Sequence, residues 1–198
     1  MTVEESQRPL APPTGSVAGG AAAQWSPSPG ELEAFAERVC YEVERALLQS
    51  LDPMIGETRA GWAHRHDALL ESTLGHLRAL DRFFRHDTTL PPSVSRSARR
   101  TVLHADMIVA RHFIADWPRT GFLERQDREA INARLTPLAG RPGRSELWDV
   151  RRMALDLGRT FLEFADRLDD RCRAWFARTR SIVIRELANT ERGVRGST

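Results

Sequence analysis

Between residues 147 and 187, apolar residues recur every three or four positions without an intervening proline. This period places them on one side of an α-helix, which must then be buried against other elements. A helix of about forty residues would be roughly 60 Å long, about twice the length of an ordinary bundle helix. The sequence is compatible with two structures. Either the end of the helix projects and self-associates, or the helix breaks near Asp169 and Asp170 and folds back.

The same spacing recurs in earlier segments, and no alternating pattern typical of a β-strand is present. The predicted helices cover residues 28 to about 52, about 59 to 86, 95 or 97 to 117, and about 123 to 138. Pro53, the pair Pro91 and Pro92, and Pro118 separate them, because proline does not continue a helix. We therefore predict an all-α, up-and-down bundle of about five helices that ends in a long C-terminal helix.

The ends of the chain differ from this helical part. Residues 1 to 29 are rich in Pro, Gly, Ala and Ser, a composition that cannot repay the entropy of folding. We expect a disordered tail over 1 to 29, a bundle domain over 30 to 187 and a disordered C-terminus over 188 to 198. The acidic start does not fit a secretory signal, and no apolar run is long enough to cross a membrane. We expect a cytoplasmic chain with no membrane contact.

Composition sets further limits on function. A length of 198 residues with 41% hydrophobic content suits one globular domain, and the net charge of +2 is too small to indicate nucleic-acid binding. All 29 basic residues are arginine, which suggests the GC-rich coding bias of a bacterial source. Cys40 and Cys172 are too few for a disulfide framework or a zinc site, and each lies in an apolar stripe. We interpret both as buried free thiols.

Two ionisable residues lie within the apolar stripes of the second and third predicted helices. On a helical wheel His66 lies near the centre of one stripe, and Asp106 lies at the centre of the other. An ionisable side chain on a buried face needs a partner, so we predict a buried polar pair of His66 and Asp106. The pair either fixes the register of the two helices or lines a small-molecule pocket between them.

Metal and cofactor chemistry has little support in the sequence. The possible ligands are Glu71, His76, His104, Asp106, His112 and Asp116. The paired Glu-x-x-His units of di-iron bundles are absent, and His104 projects opposite Asp106. The chain also lacks a phosphate-binding loop, a nucleophile elbow and a dinucleotide fingerprint. We therefore predict neither a metal nor a cofactor.

Two clusters of arginines are candidates for phosphate contacts. Arg96, Arg99 and Arg100 lie at the start of the third predicted helix. The second cluster lies in the last helix and consists of Arg171, Arg173, Arg178, Arg180 and Arg185. Binding of RNA or DNA through either cluster would be electrostatic and sensitive to salt. A solvated basic face is the alternative.

Four segments, in order, resemble uncharacterised bacterial HEPN-like helical-bundle proteins over about residues 65 to 168. They are the segment Glu71-Ser-Thr-Leu-Gly-His-Leu-Arg-Ala-Leu-Asp-Arg-Phe-Phe84, the segment Asp106-Met-Ile-Val-Ala-Arg-His-Phe-Ile-Ala-Asp-Trp117, the segment Ile131-Asn-Ala-Arg-Leu-Thr136, and Arg141 followed by Trp148-Asp-Val150. The resemblance implies a helical bundle. It also implies, for many members, a metal-independent ribonuclease of toxin or defence systems, which uses an arginine, a polar residue and a nearby histidine, usually across a dimer.

The histidine that this resemblance requires should follow Ile131 and Asn132. The chain reads Ala-Arg-Leu-Thr-Pro-Leu there, without histidine. We therefore expect a non-catalytic binding or assembly module that engages a protein partner or a second copy through the C-terminal helix. The alternative is a HEPN-type ribonuclease in which His76 and Arg78 carry out acid–base and phosphate chemistry.

Overall fold

The computed structural model describes residues 26–51, 63–86, 108–136 and 148–195. These residues form five α-helices and no strand, which confirms the predicted all-α class. The helices are α1 (Pro29–Ser50), α2 (Ala63–Arg85), α3 (Arg125–Arg134), α4 (Val150–Arg167) and α5 (Asp170–Arg195). The last helix extends past residue 187, where we expected the domain to end.

Short polar side chains determine where three of these helices begin. Ser28 and Glu31 form a capping box at α1, in which each side chain accepts a hydrogen bond from the backbone N–H of the other residue. Asp149 accepts from the N–H of Arg152 at α4, and Asp169 accepts from the N–H of Cys172 at α5. These bonds satisfy amide groups that have no partner within the helix.

The helices alternate in direction along the chain. Phe35 lies beside Phe83, and Glu42 contacts His76, so α1 and α2 are antiparallel. The start of α3 lies near Asp81 and its end near Glu71, so α3 runs back along α2. Contacts of Cys40 with Trp175 and of Glu44 with Thr179 make α1 and α5 parallel, and α4 packs against both. An up-and-down bundle results.

The core of the bundle is an aromatic cluster centred on Phe164 of α4. Its ring makes edge-to-face contacts with Phe83, Phe84, Phe113, Trp117 and Phe176, at centroid separations of 5.4 to 5.9 Å. These neighbours belong to α2, to the segment before α3, and to α5. Each such pair contributes beyond its buried area, so one residue connects most of the fold.

The prediction of one continuous last helix is wrong, and the alternative, a break near Asp169 and Asp170, is confirmed. Leu168 adopts an extended conformation and Asp169 caps the next helix. Arg180 pairs with Asp166, and Leu187 lies close to Gly158, so α5 folds back along α4. Burial of Leu168 and Cys172 at a spacing of four keeps the apolar period intact across the break.

The prediction of a third helix is wrong for residues 108 to 117, while its earlier part lies outside the described residues. Ile108 and Val109 precede a single 3-10 turn, Ala110–His112, and further turns lead to Trp117. The indole N–H of Trp117 donates to the backbone carbonyl of Phe84, 3.1 Å away. That carbonyl is in the last turn of α2 and has no helical partner, so the irregular segment caps α2.

Candidate functional site

His76 lies at the interface of α1 and α2, where it contacts residues of both helices. Its Nδ1 is 2.6 Å from Oε2 of Glu42, and its Nε2 is 3.4 Å from the hydroxyl of Ser72. Tyr41 approaches the imidazole edge-on, and Arg45 lies over the Tyr41 ring. Both His76 and Glu42 are largely buried, so this hydrogen bond stabilises the packing of α1 against α2.

The order carboxylate, imidazole, hydroxyl in this contact matches the arrangement that activates a serine nucleophile. Acyl transfer also requires N–H donors near the nucleophile for the developing oxyanion. Ser72 lies inside α2, where the backbone N–H groups bond to carbonyls of the preceding turn. The N–H groups of α2 around Ser72 are therefore not available as donors, and the contact fits a structural role.

His76 and Arg78, the candidate pair for nuclease chemistry, are not brought together. Positions two apart on a helix point about 200° apart. His76 faces α1, whereas Arg78 follows Glu71 by seven residues, on the flank where Glu71 pairs with Arg134 of α3. In the described structure the two side chains therefore lie on different flanks of α2, and their use in one catalytic centre stays a prediction.

Arg78 instead belongs to a row of basic side chains that runs along α2 and ends one residue beyond it. Arg82 and His86 follow it at intervals of four residues, and all three are half-buried. Arg85, beside the row, donates to the buried carboxylate of Asp81. Near the C-terminal end of α2, this side of the helix therefore carries more positive than negative charge.

Several predicted site residues lie outside the described part of the chain. These are Asp106, the arginines Arg96, Arg99 and Arg100, and His104. The backbone of His66 is in α2, but its side chain is not among those described. The buried pair of His66 and Asp106, the pocket beside it and the first arginine cluster therefore stay predictions.

The other possible metal ligands lie on separate surfaces. Glu71 pairs with Arg134, Asp116 pairs with Arg167, and Nδ1 of His112 accepts from the N–H of Val109. Burial lowers the pKa of His112. Within the described residues, no three of the His, Cys, Asp and Glu side chains are grouped to hold a metal ion.

The second arginine cluster divides between two sides of α5. Arg173 and Arg180 face α4, where Arg180 pairs with Asp166 beside a shallow surface depression. Arg171, Arg178, Arg185 and Arg192 are exposed, and they follow one another at seven-residue intervals along the outer side of α5. We call these four the arginine row. The interval of seven was visible in the sequence, but the break that makes α5 a separate helix was needed to interpret it.

Two acidic residues on α1, which the sequence did not single out, lie beside the arginine row, and we call them the acidic row. Glu37 is exposed, and Glu44 is half-buried where it accepts from the Thr179 hydroxyl. Trp175 is half-buried and level with Cys40 of α1, and the half-buried Ile182 follows it by seven residues, on the same side of α5. The α1–α5 surface therefore combines an acidic row, a partly apolar groove and a basic row.

Cys40 and Cys172 are free thiols, as predicted. Cys172 is buried, while Cys40 is half-buried and donates to the carbonyl of Trp175. Burial raises the pKa of Cys40, and burial together with the neighbouring Asp169 raises the pKa of Cys172 to about 11. Neither thiol is in the electropositive, accessible setting of a reactive cysteine.

Comparison of the chain with models of protein families, with curated proteins and with solved structures gave no match. No helix among the described residues has the length and apolar character needed to cross a membrane.

Proposed function

We propose that this chain is a non-catalytic assembly module that pairs with a second copy of itself through the α1–α5 surface. The observation that carries the proposal is a match of spacing. Glu37 and Glu44 on α1 are seven residues apart, and so are Arg171 and Arg178 on α5. An antiparallel approach of two copies would therefore satisfy both acid–arginine pairs at once.

The register of the two helices fixes this geometry. Cys40 contacts Trp175, and Glu44 contacts Thr179, so each residue of α1 is level with the residue 135 positions later in α5. Arg178 is thus level with Val43, and Arg171 with Ala36. A two-fold axis level with Cys40 and perpendicular to the helices would place Arg178 opposite the second copy's Glu37. The same axis would place Arg171 opposite Glu44.

Apolar side chains on this surface would supply affinity that exposed ion pairs do not. Surface ion pairs contribute about 0 to 1 kcal/mol each, and their main effect is on register and association rate. Leu48, on the outer side of α1, is 51% exposed. Trp175 and Ile182 lie in the adjacent groove, so aromatic and aliphatic groups would be covered at the centre of a self-complementary interface.

The HEPN-like resemblance is compatible with pairing, because members of that family usually act as dimers. We do not extend the proposal to ribonuclease activity. The expected histidine is missing after Asn132, and His76 and Arg78 lie on opposite flanks of α2.

A charge-exchange experiment tests the pairing. Arg178→Glu and Glu37→Arg should each lower the dimer fraction measured by sedimentation, because each creates two like-charge contacts across the axis. An equimolar mixture of the two variants should recover the dimer as a heterodimer in which both contacts are attractive.

Arg151→Glu, on the exposed side of α4, is the matched control and should leave the dimer fraction unchanged. Circular dichroism should show that all variants keep their helix content. A wild type that remains monomeric at millimolar concentration and low salt would contradict the proposal, as would a mixture that behaves like its separate components.

A further inference from the structure

The basic row of α2 lies on a different surface from the one proposed for pairing. Arg78 and Arg82 point about 160° and 120° away from His76, the residue of α2 that contacts α1, and His86 follows one turn later, just beyond the end of α2. Residues four apart on a helix are separated by about 6 Å along the axis. Neighbouring side chains in this row can therefore reach the same small group from two sides.

Arg78 and Arg82 differ from comparable arginines of this chain in having no acidic partner among the described residues. Arg134, Arg152 and Arg180 are also half-buried, and each pairs with a carboxylate at 2.5 to 3.1 Å. The Nε atoms of Arg78 and Arg134 are both shielded from solvent and have no hydrogen-bond acceptor among the described residues, but only Arg134 has a carboxylate, that of Glu71, beside its guanidinium group. An arginine nitrogen in this position is costly unless an acceptor binds to it.

The electrostatic environment reflects this lack of negative charge. Burial and the neighbouring guanidinium groups of Arg78 and Arg85 lower the pKa of Arg82. Burial, Arg85 and Arg82 lower the pKa of His86 to about 4. His86 is therefore neutral near pH 7 and retains one ring N–H donor, whereas both arginines keep their charge. The row contains two mutually repelling cations and a neutral donor.

We propose that Arg78, Arg82 and His86 form a binding site for a phosphoryl group. A doubly charged phosphate would balance two guanidinium groups, and its oxygens accept the paired N–H bonds that a planar guanidinium offers. A carboxylate would supply half that charge. Free phosphate and the terminal phosphate of a nucleotide present this doubly charged group, whereas each internal phosphodiester of an RNA strand carries one charge and offers its two unesterified oxygens.

Titration calorimetry on the full chain at low ionic strength tests the site with three probes: inorganic phosphate, adenosine monophosphate and an eight-nucleotide single-stranded RNA. Arg78→Gln and Arg82→Gln should each weaken binding of the tightest probe by at least tenfold. Arg151→Gln, which removes an exposed arginine of α4, should change it by less than twofold. The probe that binds most tightly to the wild type identifies the source of the phosphoryl group.

A thermal measurement keeps folding separate from binding. Without ligand, Arg82→Gln should melt no earlier than the wild type, because it relieves repulsion between neighbouring cations. Phosphate should raise the melting temperature of the wild type more than that of Arg82→Gln. The proposal is overturned if none of the probes binds, or if the two row variants bind as tightly as the Arg151→Gln control. Neither result depends on the oligomeric state of the chain.

Discussion

Asp81 is a charged side chain inside the core, with 1% of its surface exposed. Its Oδ1 accepts from the backbone N–H of Leu123, and its Oδ2 accepts from Arg85. The carboxylate thus joins α2 to the segment that leads into α3. Gly121 lies so close to it that an added Cβ would overlap the carboxylate. Glycine is required at this position by the close approach of the backbone to a buried charge.

Gly121→Ala should therefore destabilise the fold by about 2 to 4 kcal/mol, because it displaces Asp81 and leaves the N–H of Leu123 without its acceptor. Gly75→Ala is the matched control. No heavy atom lies within 4 Å of a Cβ added there, inside α2, so this change should stabilise by about 0.5 to 1 kcal/mol. Urea unfolding measures both effects. Equal stability of the two variants would rule out the proposed contact.

The two cysteines allow a chemical test of burial. Because the thiolate is the reactive form, a pKa near 11 at Cys172 should slow its alkylation by iodoacetamide at pH 8 about 100-fold relative to the unfolded chain. Cys40 should also react more slowly in the folded protein, since burial raises its pKa. Cys40→Ser and Cys172→Ser isolate the two rates. Equal rates with and without urea would show that the thiols are accessible.

At the scale of single residues, the sequence identified which side chains are chemically distinctive and did not identify their partners. His76 was a candidate because it lies beside an apolar stripe, yet its contact with Glu42 depends on the packing of α1 on α2. Asp81 was not singled out, although it lies on the buried side of the same helix. Its acceptor role depends on a loop about forty residues later in the chain.

Among the helices and their connections, the break between α4 and α5 has the largest effect on the fold. Asp169 holds it by accepting the N–H of Cys172 at 2.7 Å. That hydrogen bond is the main reason why the pKa of Asp169 is lower than its ordinary value. A depressed pKa in the folded state means that the carboxylate stabilises the fold at neutral pH. This contribution is lost as the pH falls through the folded-state pKa.

Asp169→Ala should lower the thermal midpoint at pH 7, because α5 loses its cap. The difference from the wild type should persist down to about pH 5, near the upper end of carboxyl titration. It should shrink at lower pH as the wild-type carboxyl is protonated. Asp170→Ala is the control, since the Asp170 side chain is 98% exposed and pairs with the side chain of Arg173 rather than with a backbone N–H of the first turn. A pH-independent difference would assign the effect to packing rather than to the charged cap.

The sequence predicted a helix well where the helix has both a regular apolar repeat and residues that mark where it begins and ends. The first helix has a serine cap, a proline in its first turn and a following Pro53, and the structure begins and ends it as predicted. Residues 108 to 117 have the helical period but form turns. There, the chain does not continue as a helix, and the indole N–H of Trp117 instead donates to the carbonyl of Phe84. The apolar repeat alone cannot reveal such a long-range contact.

At the scale of the whole molecule, only the connection between α4 and α5 is short enough to set the direction of the helix that follows it. The other helices are separated by at least twelve residues, so their alternating directions follow from the packing of their apolar sides. The turn between α4 and α5, at Leu168 and Asp169, leaves the second helix no route except back along the first. This return turns the outer side of α5 into a surface beside α1. The pairing proposed here therefore uses a side of the bundle rather than a projecting end.

The aromatic cluster makes the described helices one cooperative unit. Phe164 contacts rings from α2, from the segment before α3, and from α5, so Phe164→Ala should cost about 3 to 5 kcal/mol. Phe164→Leu keeps more of the volume and should cost less. Ile184→Ala is the control, since Ile184 is 43% exposed and its loss should change stability by less than about 0.5 kcal/mol.

Urea unfolding followed by far-ultraviolet circular dichroism and by tryptophan fluorescence tests this unit. Circular dichroism reports all helices. The chain has five tryptophans, so the fluorescence of the buried Trp117 reports the cluster only in a background in which Trp25, Trp62, Trp148 and Trp175 are replaced by phenylalanine. If Phe164 connects the helices, both signals of Phe164→Ala should shift together to a lower midpoint with one transition. Separate transitions would mean that α4 and α5 unfold apart from α1 and α2. The α1–α5 surface would then not be rigid enough to hold its two charged rows in register.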